Sequence, residues 1–360
     1  MEHIFSAFHT NIQVKSIEPF GAGLINDTYR VVNNDPLGQD FLLQRINHEV
    51  FKDAKGLMHN MELVTRHLSH KISTSSKLQG SCETLRISPT KNGSSYYEDI
   101  DGNFWRAVEF LKGYKSYDYV ETPEQAYQGA QAFGQFMLLL NDFPVHELKE
   151  TIPGFHDIIK RLVTFKEVVA STKKTDRVKE CKKEIQFVLD QADQMCEIEK
   201  LRKSGKIKDR VTHNDTKFNN VLLKEDFSSH CVIDLDTVMP GIVHYDFGDG
   251  VRTCSSTAKE DEKDLNLVDV DMEKLKGFAQ GFIETSKAVL DPLEIEYLAL
   301  SAPLLAYIMG VRFLTDYLAG DVYYKIKHES HNLERARNQL RFTKTMTDRL
   351  SDISVIIKFV

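Results

Sequence analysis

Two short stretches hold most of the residues that could do chemistry. In VTHNDTKFNNVLL, residues 211–223, His213, Asp215, Lys217 and Asn220 gather in one polar loop between apolar flanks. In CVIDLD, residues 231–236, an apolar run ends in Asp234 and Asp236. Phosphoryl transfer needs parts of this kind. A carboxylate must orient and finally deprotonate an attacking hydroxyl. A divalent ion, held by a carboxylate and an amide oxygen, must bridge the phosphates. A cation offsets the developing negative charge. Asp215 suits the base, Asn220 and Asp234 the metal ligands with Asp236 as a further carboxylate for the metal, and Lys217 the cation. Turn chemistry alone explains His, Asp and Asn in a loop. It does not explain a second, carboxylate-terminated strand behind them.

The elements that must position these residues follow from hydrophobic periodicity. Residues 11–50 read as strands, with a GAG turn at 21–23 and returning runs at Tyr29–Val32 and Phe41–Ile46. A helix is expected over about 51–69, striped by Phe51, Leu57, Met58, Met61, Val64 and Leu68. Asp101-Gly102 marks a hairpin between Tyr96–Ile100 and Phe104–Phe110. After Gly113 the texture turns helical: 123–140, 155–170, a charge-rich 176–203, 272–320 and 331–350, interrupted by two short strands over 211–236. The expected fold is α+β. A small antiparallel-sheet lobe, 1–112, carries nucleotide, and a larger helical lobe, 113–360, carries catalysis and acceptor, with a hinge near 111–116.

Composition excludes other classes. The chain has 360 residues, 41% hydrophobic and 28% charged, with a net charge of −7. That is an ordinary globular balance, and it argues against a nucleic-acid partner, which usually needs a basic face. Five scattered cysteines without a CxxC pair point to free thiols in a reducing compartment. The start, MEHIFSAFHTNIQVKS, is not a signal peptide, and the apolar run Tyr297–Val311 is short and contains Pro303, so a buried helix is expected. The expectation is a cytoplasmic protein with no membrane partner.

The HxDxxxxN loop with its carboxylate strand resembles the protein-kinase-like superfamily, and most of all the aminoglycoside phosphotransferase and choline kinase branch, the phosphotransferase enzyme family. The resemblance implies ATP and Mg2+ as cofactors. It also bears on YDFGDG (245–250), which contains the DFG letters of protein kinases. In the superfamily the metal carboxylate follows the loop by roughly twenty residues, directly after an apolar strand. Asp234 lies 19 residues past Asp215 and Asp246 lies 31 past it. The metal is therefore expected on Asp234.

The same resemblance assigns the sheet lobe. GAGLINDTYRV (21–31), with Gly21, Gly23 and Thr28, occupies the place of the phosphate-covering hairpin, where glycine lets backbone approach phosphate. By itself a plain hairpin turn explains it as well. Phe41–Ile46 stands where a lysine normally holds the phosphates; Arg45 can replace it, unless the strand phase turns Gln44 inward. Glu62 is the candidate partner of Arg45, and Glu109–Leu111 the hinge that binds adenine through backbone groups.

GAGLINDTYRV, LLQRINHEVFKD, HNDTKFNNVL, VIDLDTVMPG, YDFGDGVR and GVRFLTDYLAGDVYY together resemble the N-acetylhexosamine 1-kinases. That implies a small-molecule sugar acceptor phosphorylated at its anomeric hydroxyl. Asn26, Asp27, Asp215, Asp246, Asp249, Arg252, Arg312 and Tyr323 are the candidate sugar contacts. Two plainer readings stand beside these. Asp246, Asp249 and Arg252 could brace the catalytic loop, and Arg312 with Asp316, four residues apart, could be an ion pair. Other small acceptors (an amino alcohol, an aminoglycoside, homoserine) use the same loop, and a nucleotide-binding pseudokinase is a further alternative.

Overall fold

The computed structural model describes residues 1–21, 25–173 and 175–360. By compactness the chain divides into two units. The first comprises Met1–Ser116, Asp142–Pro153 and Asn220–Pro240; the second comprises Tyr117–Asn141, Gly154–Asn219 and Gly241–Val360. Two later segments of the chain thus belong with the sheet-bearing unit.

In the first unit, strands β1 (Val14–Pro19), β2 (Asp27–Asn33), β3 (Phe41–Ile46) and β4 (Phe104–Glu109) lie side by side, each antiparallel to the next. Successive side chains of a strand point to opposite faces. Val31, Phe41, Leu43, Trp105 and Ala107 therefore share one face, where they form a core with Ile4, Phe5 and Phe8. Thr28, Gln44 and Arg106 are in register across β2, β3 and β4 and occupy the other face. The helix after β3 is α1 (Ala54–Thr74), which buries Leu57, Met58, Met61, Val64 and Leu68. It starts later than periodicity suggests because the Asp53 side chain caps it, accepting the Gly56 N–H at 2.8 Å. Strands β5 (Val221–Lys224) and β6 (His230–Val232) form an antiparallel hairpin with Val221 opposite Val232.

The second unit is helical: α2 (Pro123–Leu139), α3 (Ile158–Ser171), α4 (Val243–Ser255), α5 (Met272–Ser286), α6 (Pro292–Ala319) and α7 (His331–Asp348) frame it. The charge-rich 176–203 segment, read as one helix, is three: Thr175–Glu180, Lys182–Met195 and Glu197–Lys203. Helix α6 is long and apolar enough to cross a membrane, yet 83% of its most apolar window is buried inside the protein, so it serves as a core helix. All five cysteines are buried free thiols.

Candidate active site

The polar loop that follows Thr212 in the second unit is held from beneath by a carboxylate. Asp246, in the first turn of α4, accepts the backbone N–H of His213 at 2.9 Å and of Asn214 at 2.7 Å, and its own carbonyl accepts the Thr216 hydroxyl at 2.6 Å. Burial pushes its carboxyl up to about 6. His213 is fully buried and meets the rings of Phe133 and Phe136 at 5.8 and 5.9 Å. Its Nδ1 accepts the Asp215 N–H at 3.3 Å. Asn214 takes the left-handed conformation, with φ of 63°, a strained state characteristic of functional turns. The outcome is a half-buried Asp215 whose Oδ2 lies 3.0 Å from Lys217 Nζ.

The DFG letters now have a structural explanation. Asp246 is the brace just described, which matches the plainer sequence reading rather than a contact with acceptor. Phe247 packs against Phe278 and Phe282, at 5.8 and 5.4 Å. Gly248 lies where α4 crosses α6, and a Cβ there would stand 2.3 Å from the Ser301 carbonyl oxygen. Gly248→Ala is therefore expected to cost about 1–3 kcal/mol of stability through overpacking. Chemical denaturation measures it, and an unchanged midpoint would show that the two helices can part without cost.

In the first unit the two candidate metal ligands flank one hairpin. The Asn220 carbonyl accepts the Ile233 N–H at 2.9 Å, just beyond the Val221–Val232 pair, so Asn220 and Asp234 stand at the same end of the β5–β6 ladder. Asp234 is exposed and left-handed, with φ of 58°. Asp236 behaves differently. It is 3% exposed, its Oδ1 is ion-paired with Arg106, and its Oδ2 accepts from Asn26 Nδ2 at 2.6 Å. The expected second metal carboxylate is therefore committed to a buried pair.

The nucleotide candidates are redistributed. Gly21 has φ of 77°, which favours glycine, and Gly23 lies outside the described residues. Thr28 Oγ1 accepts from Gln44 Nε2 at 3.0 Å, and Gln44 Oε1 accepts from Arg106 Nε at 2.9 Å. Arg45 sits on the opposite face of β3, where Asp27 Oδ2 accepts its Nε–H at 2.8 Å. Glu62 is exposed on α1 and does not hold Arg45. The strand phase thus favours Gln44, with Arg106 as the buried cation of that face. Sequence reading missed Arg106, although a lone arginine inside the apolar run FWRAVEF was a usable signal. The N–H groups of Glu109 and Phe110 already donate to the carbonyls of Arg86 and Asp40. Leu111 follows them, half-buried.

The acceptor candidates also separate. Asn26 and Asp27 are engaged by Asp236 and Arg45 within the first unit. In the second unit Asp249 pairs with Arg252 at 2.8 Å, both buried, and Arg252 also donates to Gln339 Oε1 at 3.4 Å. Arg312 makes no ion pair with Asp316. The Asp316 carboxylate instead accepts the N–H groups of Val322, Tyr323 and Tyr324 at 2.9, 2.8 and 3.0 Å, fixing the turn after α6. Arg312 lies over the Phe155 ring at 5.2 Å and the Tyr324 ring at 5.6 Å. Tyr323 is exposed, its ring 4.8 Å from that of Tyr324. His156, unremarked in the sequence, has its Nε2 2.9 Å from the Asn214 carbonyl and donates to it. Burial lowers its pKa to about 3, so the ring is neutral.

Residues 16–274 match the phosphotransferase enzyme family. Solved structures share the fold at low identity. The microcompartment-associated aminopropanol kinase matches with a TM-score of 0.65 and 12% identity, covering 98% of this chain and 97% of that one. The aminoglycoside phosphotransferase from Alicyclobacillus acidocaldarius matches with a TM-score of 0.62 and 12% identity, over 100% and 97% of the two chains. Amicoumacin kinase hAmiN, in complex with AMP-PNP, Ca2+ and Ami, matches with a TM-score of 0.62 and 15% identity, over 94% and 92%. The antiparallel-sheet unit and the helical unit are those of the protein-kinase-like fold.

Proposed function

The chain belongs to the phosphotransferase enzyme family, and on that premise we propose that it transfers the γ-phosphoryl group of ATP to the anomeric hydroxyl of an N-acetylhexosamine. The observation that carries the catalytic part is the presentation of Asp215, half-buried beside Lys217 on a loop clamped by Asp246. Asp215 orients the acceptor hydroxyl and takes its proton, and Lys217 offsets charge as the bond forms.

The donors fit a hard cation: an exposed carboxylate and an amide oxygen at one end of a hairpin. Asp234 and Asn220 would hold a magnesium ion, which would neutralise the charge that develops on the phosphates of ATP. Gly21, Thr28 and Gln44 form the phosphate side of the nucleotide site, and the Leu111 backbone reads the base. Asp234→Ala is expected to raise the Mg2+ concentration for half-maximal rate about tenfold or more. A magnesium titration of ADP release checks this, and an unchanged requirement would move the ion elsewhere.

Sugar as acceptor is supported by the side chains around Asp215. Asp249 and Asp316 are committed to Arg252 and to backbone N–H groups, which leaves arginine and tyrosine to meet the acceptor. Cationic amino alcohols and aminoglycosides would find no carboxylate cage there among the described residues. The test is ADP release with ATP, Mg2+ and a panel of N-acetylhexosamines, hexoses, choline and kanamycin, with the product's phosphorylated position read by NMR. A product phosphorylated at C6 would overturn the anomeric assignment and leave the kinase assignment standing. Turnover confined to choline or kanamycin would overturn the sugar reading.

A further inference from the structure

Beside Asp215, the second unit holds more buried polar groups than it satisfies. The connection runs through short contacts. The Asn214 carbonyl accepts from His156 at 2.9 Å. The neighbouring Phe155 carbonyl accepts one guanidinium N–H of Arg161 at 2.9 Å, and the Phe155 ring carries Arg312 at 5.2 Å. Arg312 in turn lies 5.6 Å from the Tyr324 ring. In this one cluster the Nε of Arg161, the hydroxyl of Tyr324 and the Nδ1 of His156 are buried without a hydrogen-bond partner among the described residues. Buried polar groups left this way cost free energy unless a ligand or water meets them.

The charges are equally unbalanced. Among the described residues neither Arg161 nor Arg312 has an ion-pair partner. Nearby carboxylates are taken: Asp157 by Lys203 at 2.9 Å, Asp249 by Arg252 at 2.8 Å, and Glu260 by Arg335 at 3.2 Å. Asp316 is spent on three backbone N–H groups and Asn332. Burial, then the adjacent Arg312, hold the Arg161 guanidinium below its ordinary pKa. Two neighbouring cations that repel each other, neither with an ion-pair partner among the described residues, suit a ligand that brings a negative charge.

We propose that Arg161, Arg312 and the Tyr324 hydroxyl form an oxyanion subsite beside Asp215, so that the acceptor carries a carboxylate or a phosphate in addition to the hydroxyl that is phosphorylated. This rests on Asp215 being the base, and it adds an acidic substituent to the sugar. The neutral His156 complements it, because its unpartnered Nδ1 accepts and so suits an acceptor hydroxyl. Arg161 is the specificity-determining residue that sequence reading did not flag.

The test compares four acceptors: neutral N-acetylglucosamine, glucuronic acid, N-acetylglucosamine 6-phosphate and cationic glucosamine. The kcat/KM is measured with the wild-type enzyme, and binding is measured by calorimetry on Asp215→Asn with Mg2+ and ADP present. At least one acid should exceed the neutral sugar by roughly 10- to 100-fold, the scale of a charge-assisted hydrogen bond. Which acid does so separates carboxylate from phosphate. Glucosamine should be the poorest of the four. Arg161→Gln should abolish the preference, Arg161→Lys should restore part of it, and Tyr324→Phe should weaken it. A neutral sugar bound and turned over at least as well as both acids overturns the subsite and leaves the kinase reading intact. An acid bound more tightly but never phosphorylated supports the subsite and counts against the assigned hydroxyl. No binding of any of the four overturns both.

Discussion

Asp215→Asn is expected to lower kcat by about 10^2- to 10^4-fold, the usual contribution of a positioned general base. The substitution keeps the shape and the capacity to hold a hydroxyl but cannot take its proton. The fold around it should persist, because the loop is fixed by the Asp246 carboxylate on the N–H groups of His213 and Asn214, and by Thr216 on the Asp246 carbonyl. ATP affinity should change little, since neither nucleotide nor metal binding is assigned to Asp215. Steady-state ADP release and nucleotide titration read the two quantities separately. A variant within about tenfold of wild-type turnover would remove Asp215 from the base role.

Arg106→Met is expected to destabilise the protein by about 3–5 kcal/mol, because it strands the Asp236 carboxylate without its cation. The two side chains are 2% and 3% exposed, and Arg106 also donates to Gln44 Oε1 at 2.9 Å. Asp236→Asn in the same chain should recover much of the loss, since the double variant no longer buries a charge; chemical denaturation of the four proteins of the cycle measures it. A single-variant loss below about 1 kcal/mol would mean that water reaches the pair. The same substitution should raise the Mg2+ requirement, because Asp236 anchors the Leu235–Thr237 turn that follows Asp234 directly. An unchanged requirement in a folded variant would separate the pair from metal binding.

Much of this site was legible because it is nearly continuous in the chain. His213 to Asn220 is a single loop, and β6 brings Asp234 back by one hairpin. Spacing therefore made them candidates, and the resemblance to the superfamily favoured Asp234 over Asp246 for the metal. The separation of a sheet-rich region from a helical one was legible for the same local reason, since period two and period 3.6 are written in neighbouring residues. Arg106, His156, Arg161 and Tyr324 left weaker traces, because each acts on a partner far away in sequence.

The sequence by itself determined which residue types stand in the polar loop and on the strand behind it, and in what order, since His213 to Asn220 are joined by a few residues and Asp234 ends the next apolar run. Tertiary structure decided which charges are available. Strand register turned Arg45 toward Asp27 and made Arg106 the partner of Asp236. A helix crossing converted DFG into a brace and a close packing point. A turn held by Asp316 left Arg312 without the ion pair that its i,i+4 spacing suggested. Whether a charged side chain is spent or free depends on burial and on partners brought from distant segments, and no local pattern encodes either.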